Sequence, residues 1–200
     1  MSDASTRITG IYRRHASAWT ALRGKALLER VWLDRFTDLL RESASVLDIG
    51  CGPGEPIARH LIDNGYQVTG VDSSPEMIAL FRSRLPGVQT EIRDMRLLDM
   101  GRQFGGLIAW DSFFHLSPDD QRLMFSIFRD HAEPGAPLLF TSGPAFGEAI
   151  GTLEGEPLYH ASLDPDEYRL LLDRHDFDLV SHAAEDPDCG GHTVWLARRR

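Results

Sequence analysis

Apolar positions along the 200-residue chain follow two rhythms. Over residues 8–42, Ile11, Trp19, Leu22, Leu28, Val31, Trp32, Phe36 and Leu39 recur at helical spacing among charges, which predicts one or two amphipathic helices broken near Gly24. From residue 46 onward, short aliphatic runs alternate with helical stretches. Strand 46–50 is followed by helix 56–64, ended by Asn64-Gly65, and then by strand 67–72. Ser73-Ser74-Pro75-Glu76 is a helix start with a serine cap, an early proline and an acid against the positive helix end; the helix runs to about 85. Strands 88–93 and 106–112, helix 118–131, strand 137–141 and helix 164–175 continue the alternation. Strands 177–184 and 192–198 close the chain as an antiparallel pair. Residues 142–162 carry no strong periodicity and read as a long loop, a kind of segment usually kept for function.

Within this pattern the first βαβ unit holds the chemistry. Val46-Leu47-Asp48-Ile49 runs into Gly50-Cys51-Gly52-Pro53-Gly54-Glu55, three glycines in five residues, which let the backbone turn sharply and approach a ligand. Asp72 ends the second strand about 20 residues on, where nucleotide-binding folds place a carboxylate for ribose hydroxyls. A dinucleotide fingerprint would need a third glycine three positions after Gly52, and Glu55 stands there. Asp48 and Glu55 on either side of the turn would repel a pyrophosphate but suit a ligand carrying an ammonium and a sulfonium.

With these residues the chain resembles the class I S-adenosylmethionine-dependent methyltransferases. Residues 46–54, Gly70-Val71-Asp72-Ser73-Ser74-Pro75-Glu76-Met77 and Asp94-Met95 look like that family's three cofactor motifs, in its order and spacing. The match is specific over about 44–112, a matter of topology in the last ninety residues, and weakest in the first forty. Glu55-Pro56 departs from the small or hydroxyl residue and glycine common there. The resemblance implies a Rossmann-like α/β fold: a seven-stranded, mostly parallel sheet in the order 3-2-1-4-5-7-6, a terminal antiparallel hairpin, and helices on both faces. It implies S-adenosyl-L-methionine as cofactor, held by Asp48, Gly50, Cys51, Gly52, Gly54, Asp72, Ser73, Met77, Asp94 and Met95. Met77 would pack on the adenine and Asp94, with Asp99 as its rival, would accept from the adenine amino group. Trp110 and Asp111 join the set, because ligands of open sheets bind beyond the strand ends at the switch in strand order.

Length and composition suit one domain over 1–200, and the resemblance implies that its first helices, 1–43, fold as a lid over a core at 44–200 with a substrate loop at 142–162. From the lid, Tyr12, Trp19 and Arg23 are candidate substrate-side residues; from the core, Phe114, His115, Tyr159 and His160 are, with Trp110, Phe113 and Phe146 completing an apolar mouth. A net charge of −9 without a basic stripe gives no footprint for nucleic acid. No apolar run spans a membrane, the first residues show no signal-peptide core, and two cysteines make no disulfide framework, so the expected compartment is the cytoplasm. A small-molecule acceptor and a monomer or homodimer follow. Methyl transfer needs a base only when the nucleophile must lose a proton; His115 and then His160 are the candidates. No metal is expected, since Asp111, His115, His160 and His192 lack a ligand-pair spacing. Two other readings stand beside the methyltransferase: a module that binds the cofactor without catalysis, and an NAD-dependent oxidoreductase, against which the glycine spacing and Asp48 weigh.

Overall fold

The computed structural model describes residues 7–200. Residues 1–6, part of the expected lid and of the stretch read for a signal peptide, lie outside the described residues. Helices α1 (Ile8–Arg23) and α2 (Arg30–Thr37) precede β1 (Ser45–Ile49), α3 (Ile57–Asp63), β2 (Gln67–Asp72), α4 (Pro75–Arg84) and β3 (Gln89–Ile92). Then come β4 (Gly106–Ala109), α5 (Pro118–His131), β5 (Pro137–Ser142), β6 (Gly147–Leu153), β7 (Glu156–Ser162), α6 (Pro165–Arg174), β8 (Phe177–Asp186) and β9 (His192–Arg199).

Seven strands form one sheet in the order β3-β2-β1-β4-β5-β9-β8. The first five are parallel, while β9 runs antiparallel to β5 and to β8. The expected topology is therefore present, and the carboxyl ends of β1 and β4 flank the point where the winding reverses. Period-two alternation sorts the core. Leu47, Leu107, Leu138 and Phe140 face one layer with Phe125, Tyr168 and Trp195. Val46, Ile108 and Leu139 face the other with Trp32, Phe36 and Phe81. Strands β4 and β5 are buried on both faces, as parallel strands between helix layers must be.

Helix starts follow the sequence signals. Ser74, Ser117 and Asp164 each accept a backbone N–H in the first turn of the next helix, and each is followed by proline. The long loop expected at 142–162 is instead a two-stranded antiparallel ribbon, β6 with β7, separate from the main sheet. Glu154 and Gly155, both at positive φ, make its turn. Only one side of it is sheltered: β7 buries Leu158, Tyr159 and Ala161, while β6 is almost wholly exposed. Among the described residues no helix is long and apolar enough to cross a membrane.

Candidate active site

Two connected cavities open at the carboxyl ends of β1, β2 and β4. The larger, about 760 Å³, runs from Asp72, Met77, Asp94 and Met95 to Tyr12 and His115. The smaller, about 440 Å³, lies over Asp48, Cys51 and Gly54 and reaches Arg23 and Trp110. Trp19, Gly50, Gly52 and Asp111 line both, so the glycine turn is their common floor.

The turn is pinned to β2. Gly50 N–H and Cys51 N–H donate to the Val71 carbonyl at 2.8 and 3.0 Å, and Gly52 N–H donates to Asp72 Oδ2 at 3.0 Å. Two of the glycines are there for packing. A Cβ on Gly50 would sit 2.2 Å from Ser112 Cβ, and one on Gly54 would sit 2.7 Å from the Phe81 ring. Gly52, at φ +51°, would meet nothing within 4 Å, so its backbone faces the open cleft.

Two carboxylates stand under this turn. Burial, and then the nearby Asp72, push Asp48 up to about 7. Burial pushes Asp72 up to about 6, against the opposing pull of the Ser74, Gly52 and Ser73 amides. Neither is among the ion pairs of the described residues. Glu55 differs: Lys25, Arg59 and Arg84 surround it at 3.4, 3.7 and 3.4 Å, so the residue that departs from the family pattern is spent on an ion cluster beside the turn.

On the far side, Asp94 lines the larger cavity and its rival Asp99 does not; Asp99 accepts from Gly101 N–H instead. Burial works to raise Asp94, but the paired Arg96 guanidinium and amide outweigh it and hold the carboxyl below its usual range. Arg96 reaches on to Asp120.

Helix α1 roofs the cleft. Thr9 Oγ1 meets Ser73 Oγ at 2.9 Å, Arg13 meets Glu76 at 3.3 Å, and Arg14 and His15 both grip Glu156 of the ribbon. The helix kinks at His15. Tyr12, Trp19 and Arg23 all line the cleft, with Trp19 edge-on to Tyr12 at 5.6 Å. Arg23 is paired with the buried Glu29 at 2.5 Å.

His115 is buried, and both ring nitrogens are engaged. The Tyr159 carbonyl can only accept, so Nδ1 carries the proton and donates to it at 2.7 Å. Nε2 is then the acceptor for Tyr12 O–H at 2.8 Å. Burial pushes His115 down to about 4, so the ring is neutral at pH 7. His160 lies half-buried against His115 and Phe114, with centroids at 4.8 and 5.2 Å; burial lowers it too.

Some expected mouth residues sit elsewhere. Phe114 and His160 stack beside the cleft without lining it. The Tyr159 ring is buried, with its hydroxyl donating to Glu148, and it serves the site through its carbonyl. Phe113 does not wall the pocket; it packs in the core against Phe125 and Phe140, and Phe146 is exposed. The single-turn helix Phe113–His115 turns the first ring inward and His115 toward the cleft.

Three residues escape the sequence reading, and a fourth, His192, is weighed there only as a metal ligand. Thr9 lies one turn before Tyr12 on the same helical face, a signal that could have found it. Ser112, which donates to the Ile49 carbonyl at 2.7 Å, had none. Glu29 and His192 had none either: His192 Nε2 comes to 3.0 Å from Asp111 Oδ1 across 81 positions, and its Nδ1 donates to the Cys189 carbonyl. The Asp111 carboxylate beside it raises His192 above its ordinary value. That contact is an ion pair rather than an aligned hydrogen bond, for Asp111 Oδ1 and Trp110 Nε1 are both buried without a hydrogen-bond partner. Both residues line the smaller cavity, and orphaned groups of this kind mark places where a ligand completes the hydrogen bonding.

A sheet of this order, with a carboxylate-lined glycine turn at its switch point and a helical roof, defines a nucleotide-cofactor site of the Rossmann-like class. The family described as "Methyltransferase domain" matches residues 46–135. A trans-aconitate 2-methyltransferase of Azoarcus sp. (strain BH72) is 36% identical over 193 residues, 85% of this chain and 70% of that protein. A dTDP-3-amino-3,6-dideoxy-alpha-D-glucopyranose N,N-dimethyltransferase of Streptomyces fradiae is 36% identical over 77 residues, 38% of this chain and 30% of that protein. The chain spans less than half the length of three of the curated relatives it matches. Among solved structures, the magnesium protoporphyrin IX methyltransferase of Synechocystis PCC 6803 shares the fold, with TM-score 0.76 over 100% of this chain and 99% of that one at 16% identity. The chain belongs to the class I S-adenosylmethionine-dependent methyltransferase family.

Proposed function

We propose that the chain is an enzyme that binds S-adenosyl-L-methionine in this cleft and transfers its methyl group to a small-molecule acceptor. The observation that carries the reading is the pair of carboxylates, buried Asp48 and half-buried Asp72, under an open Gly52 backbone with no cation of their own. A cationic ligand supplies the missing charge, whereas the pyrophosphate of a dinucleotide would be set against both. The fit extends outward: Met77 and Met95 give an apolar slot beside Asp94, and the Trp110 N–H, without a hydrogen-bond partner, and the Asp111 carboxylate give polar partners at the other end.

When bound, the cofactor brings an electrophilic methyl group and its own leaving group. The chain's residues do the rest. Asp48 and Asp72 oppose the positive charge, Asp72 also accepting from the ribose hydroxyls, Asp94 meets the adenine edge, and α1 excludes water. Tyr12 and Asp111 face the acceptor. His115 acts as a positioning residue for Tyr12, since its nitrogens are committed and its basicity is low; His160 supports the same stack.

One curated relative is named for trans-aconitate and another for a dTDP-linked amino sugar, both small molecules. The net charge of −9 disfavours nucleic acid as the acceptor. The two free cysteines suit a reducing compartment, and we take that to be the cytoplasm. A monomer or a homodimer is equally compatible with the reading.

Calorimetry with S-adenosylmethionine, S-adenosylhomocysteine and NADH tests the site; tighter binding of NADH would refute it. Transfer of labelled methyl groups across a metabolite panel separates an enzyme from a binding module.

A further inference from the structure

We infer that the group this cleft methylates is an amine, presented as a hydrogen-bond donor to the Tyr12 oxygen, and not a carboxylate. The inference rests on the methyl-transfer reading above and narrows it to a substrate class. Two independent observations carry it.

The first is hydrogen-bond polarity. The Tyr159 carbonyl fixes the His115 proton on Nδ1, which makes Nε2 an acceptor and claims the Tyr12 hydroxyl proton. Tyr12 therefore offers the cleft only the lone pairs of its oxygen. An N–H can donate to that atom; a carboxylate oxygen would meet lone pair with lone pair. Tyr12 also resists ionisation, because burial and then Asp111 and Asp72 raise it, so its proton stays in the chain.

The second is charge. Each arginine lining the cleft is already paired within the protein: Arg23 with Glu29, Arg93 with Glu91, and Arg96 with Asp94 and Asp120. The nearby His192 is paired with Asp111. Asp48 and Asp72 have no such partner. A sulfonium and an ammonium offset by one carboxylate bring a single net positive charge, so the loaded cleft keeps an excess of negative charge. No cation is left over for an acidic acceptor among the described lining residues. An incoming carboxylate would lose its hydration with nothing to replace it.

An amine also suits a site without a free base. The lone pair of the neutral amine forms the N–CH3 bond while the S–CH3 bond breaks and its electron pair stays on sulfur. The product carries the charge away as a methylammonium, which gives a proton to water after release. An acceptor that is an ammonium in solution gives its proton to bulk water before it binds as the neutral amine, so no side chain of the cleft has to remove one.

Two measurements test this. Nitrogen-15 spectra of histidine-labelled protein loaded with S-adenosylhomocysteine, assigned through His115→Gln, should show His115 as the neutral Nδ1–H tautomer at pH 7; an Nε2–H tautomer or an imidazolium overturns the inference. The chain is then incubated with methyl-13C S-adenosylmethionine and a small-molecule extract, and the carbon shift of the transferred methyl is read. An N-methyl signal supports the inference. A methyl ester signal overturns it, whereas bound cofactor with no transferred label would make the chain a binding module and sink the methyl-transfer reading. Absence of cofactor binding would sink that reading as well, so the two kinds of failure are distinguishable. With the amine identified, Tyr12→Phe should lower kcat/KM up to about tenfold, the scale of one lost hydrogen bond.

Discussion

Acidification should weaken cofactor binding by an amount the two carboxylates set. Asp48 sits at about 7 and Asp72 at about 6, both raised by burial, and a cationic ligand binds best when both are ionised. If both must be ionised in the complex, the dissociation constant scales as (1 + 10^(7−pH)) for Asp48 times (1 + 10^(6−pH)) for Asp72. That factor is about 1.4 at pH 7.5 and about 22 at pH 6.0. Affinity for S-adenosylmethionine should therefore fall on the order of tenfold over this range, or about 1–2 kcal/mol. The empty protein should move the other way. A carboxyl whose folded pKa is raised binds more protons folded than unfolded, so its contribution to stability is lost as pH rises through the folded value. Between pH 8 and about 6.5, before the buried neutral His115 begins to oppose the trend, the ligand-free protein should gain thermal stability on acidification while its affinity drops. Calorimetry at pH 6.0, 6.5, 7.0 and 7.5, in buffers of different ionisation enthalpy, reads both the affinity and the protons released; scanning calorimetry of the empty protein reads the opposing trend. A dissociation constant flat across this range, with no proton release, would mean that these carboxylates do not face the ligand's positive charge.

Four further substitutions probe separate parts of the site. Asp72→Ala should cost about 1–3 kcal/mol of cofactor affinity, the scale of hydrogen bonds to a charged group, and unchanged titration curves would show the ribose site to be misplaced. Gly54→Ala drives a methyl into Phe81 and Leu85 at positive φ and should destabilise the fold by about 1–3 kcal/mol in urea melts. Gly52→Ala, facing open space, meets only the backbone strain of φ +51°, so it should lose less stability than Gly54→Ala and still lose cofactor binding; equal loss of stability in the two variants would contradict the packing described. Glu156→Ala frees Arg14 and His15 from the ribbon and should speed cofactor dissociation in stopped-flow traces with little change in Tm, because the pair is exposed.

The glycine turn, Asp72 and the Ser74-Pro75 helix start could be read from the chain because their chemistry is local: residues a few positions apart dictate a bend, a cap or a strand end. The same locality explains the correct order of strands and helices, where each period is long enough to show. The β6–β7 ribbon lacked that advantage. Strand β6 buries only Leu153 fully and includes Gly147 and Gly151, so its apolar positions do not alternate. The choice between Phe113 and Phe114 was hidden for another reason. Asp111 at φ +49° breaks the alternation of β4, and the turn that follows decides which ring goes inside. His192 and Glu29 reach the site only through the closing hairpin and the α1–α2 connection. No short-range pattern announces contacts made over 81 residues to Asp111, or the pairing of Glu29 with Arg23.

The clasp of α1, held to the β2–α4 turn and the first turn of α4 by Thr9 and Arg13, to the Phe113–His115 turn by Tyr12, and to the ribbon by Arg14 and His15, bears on catalytic tempo. Nucleoside traffic has to pass a door latched at three places, whichever way it travels. Chemistry should then outrun the exchange of spent for fresh donor, and rapid-quench experiments should find a first turnover faster than those that follow. Loosening the latch at Glu156 should shrink that initial burst by speeding every later round.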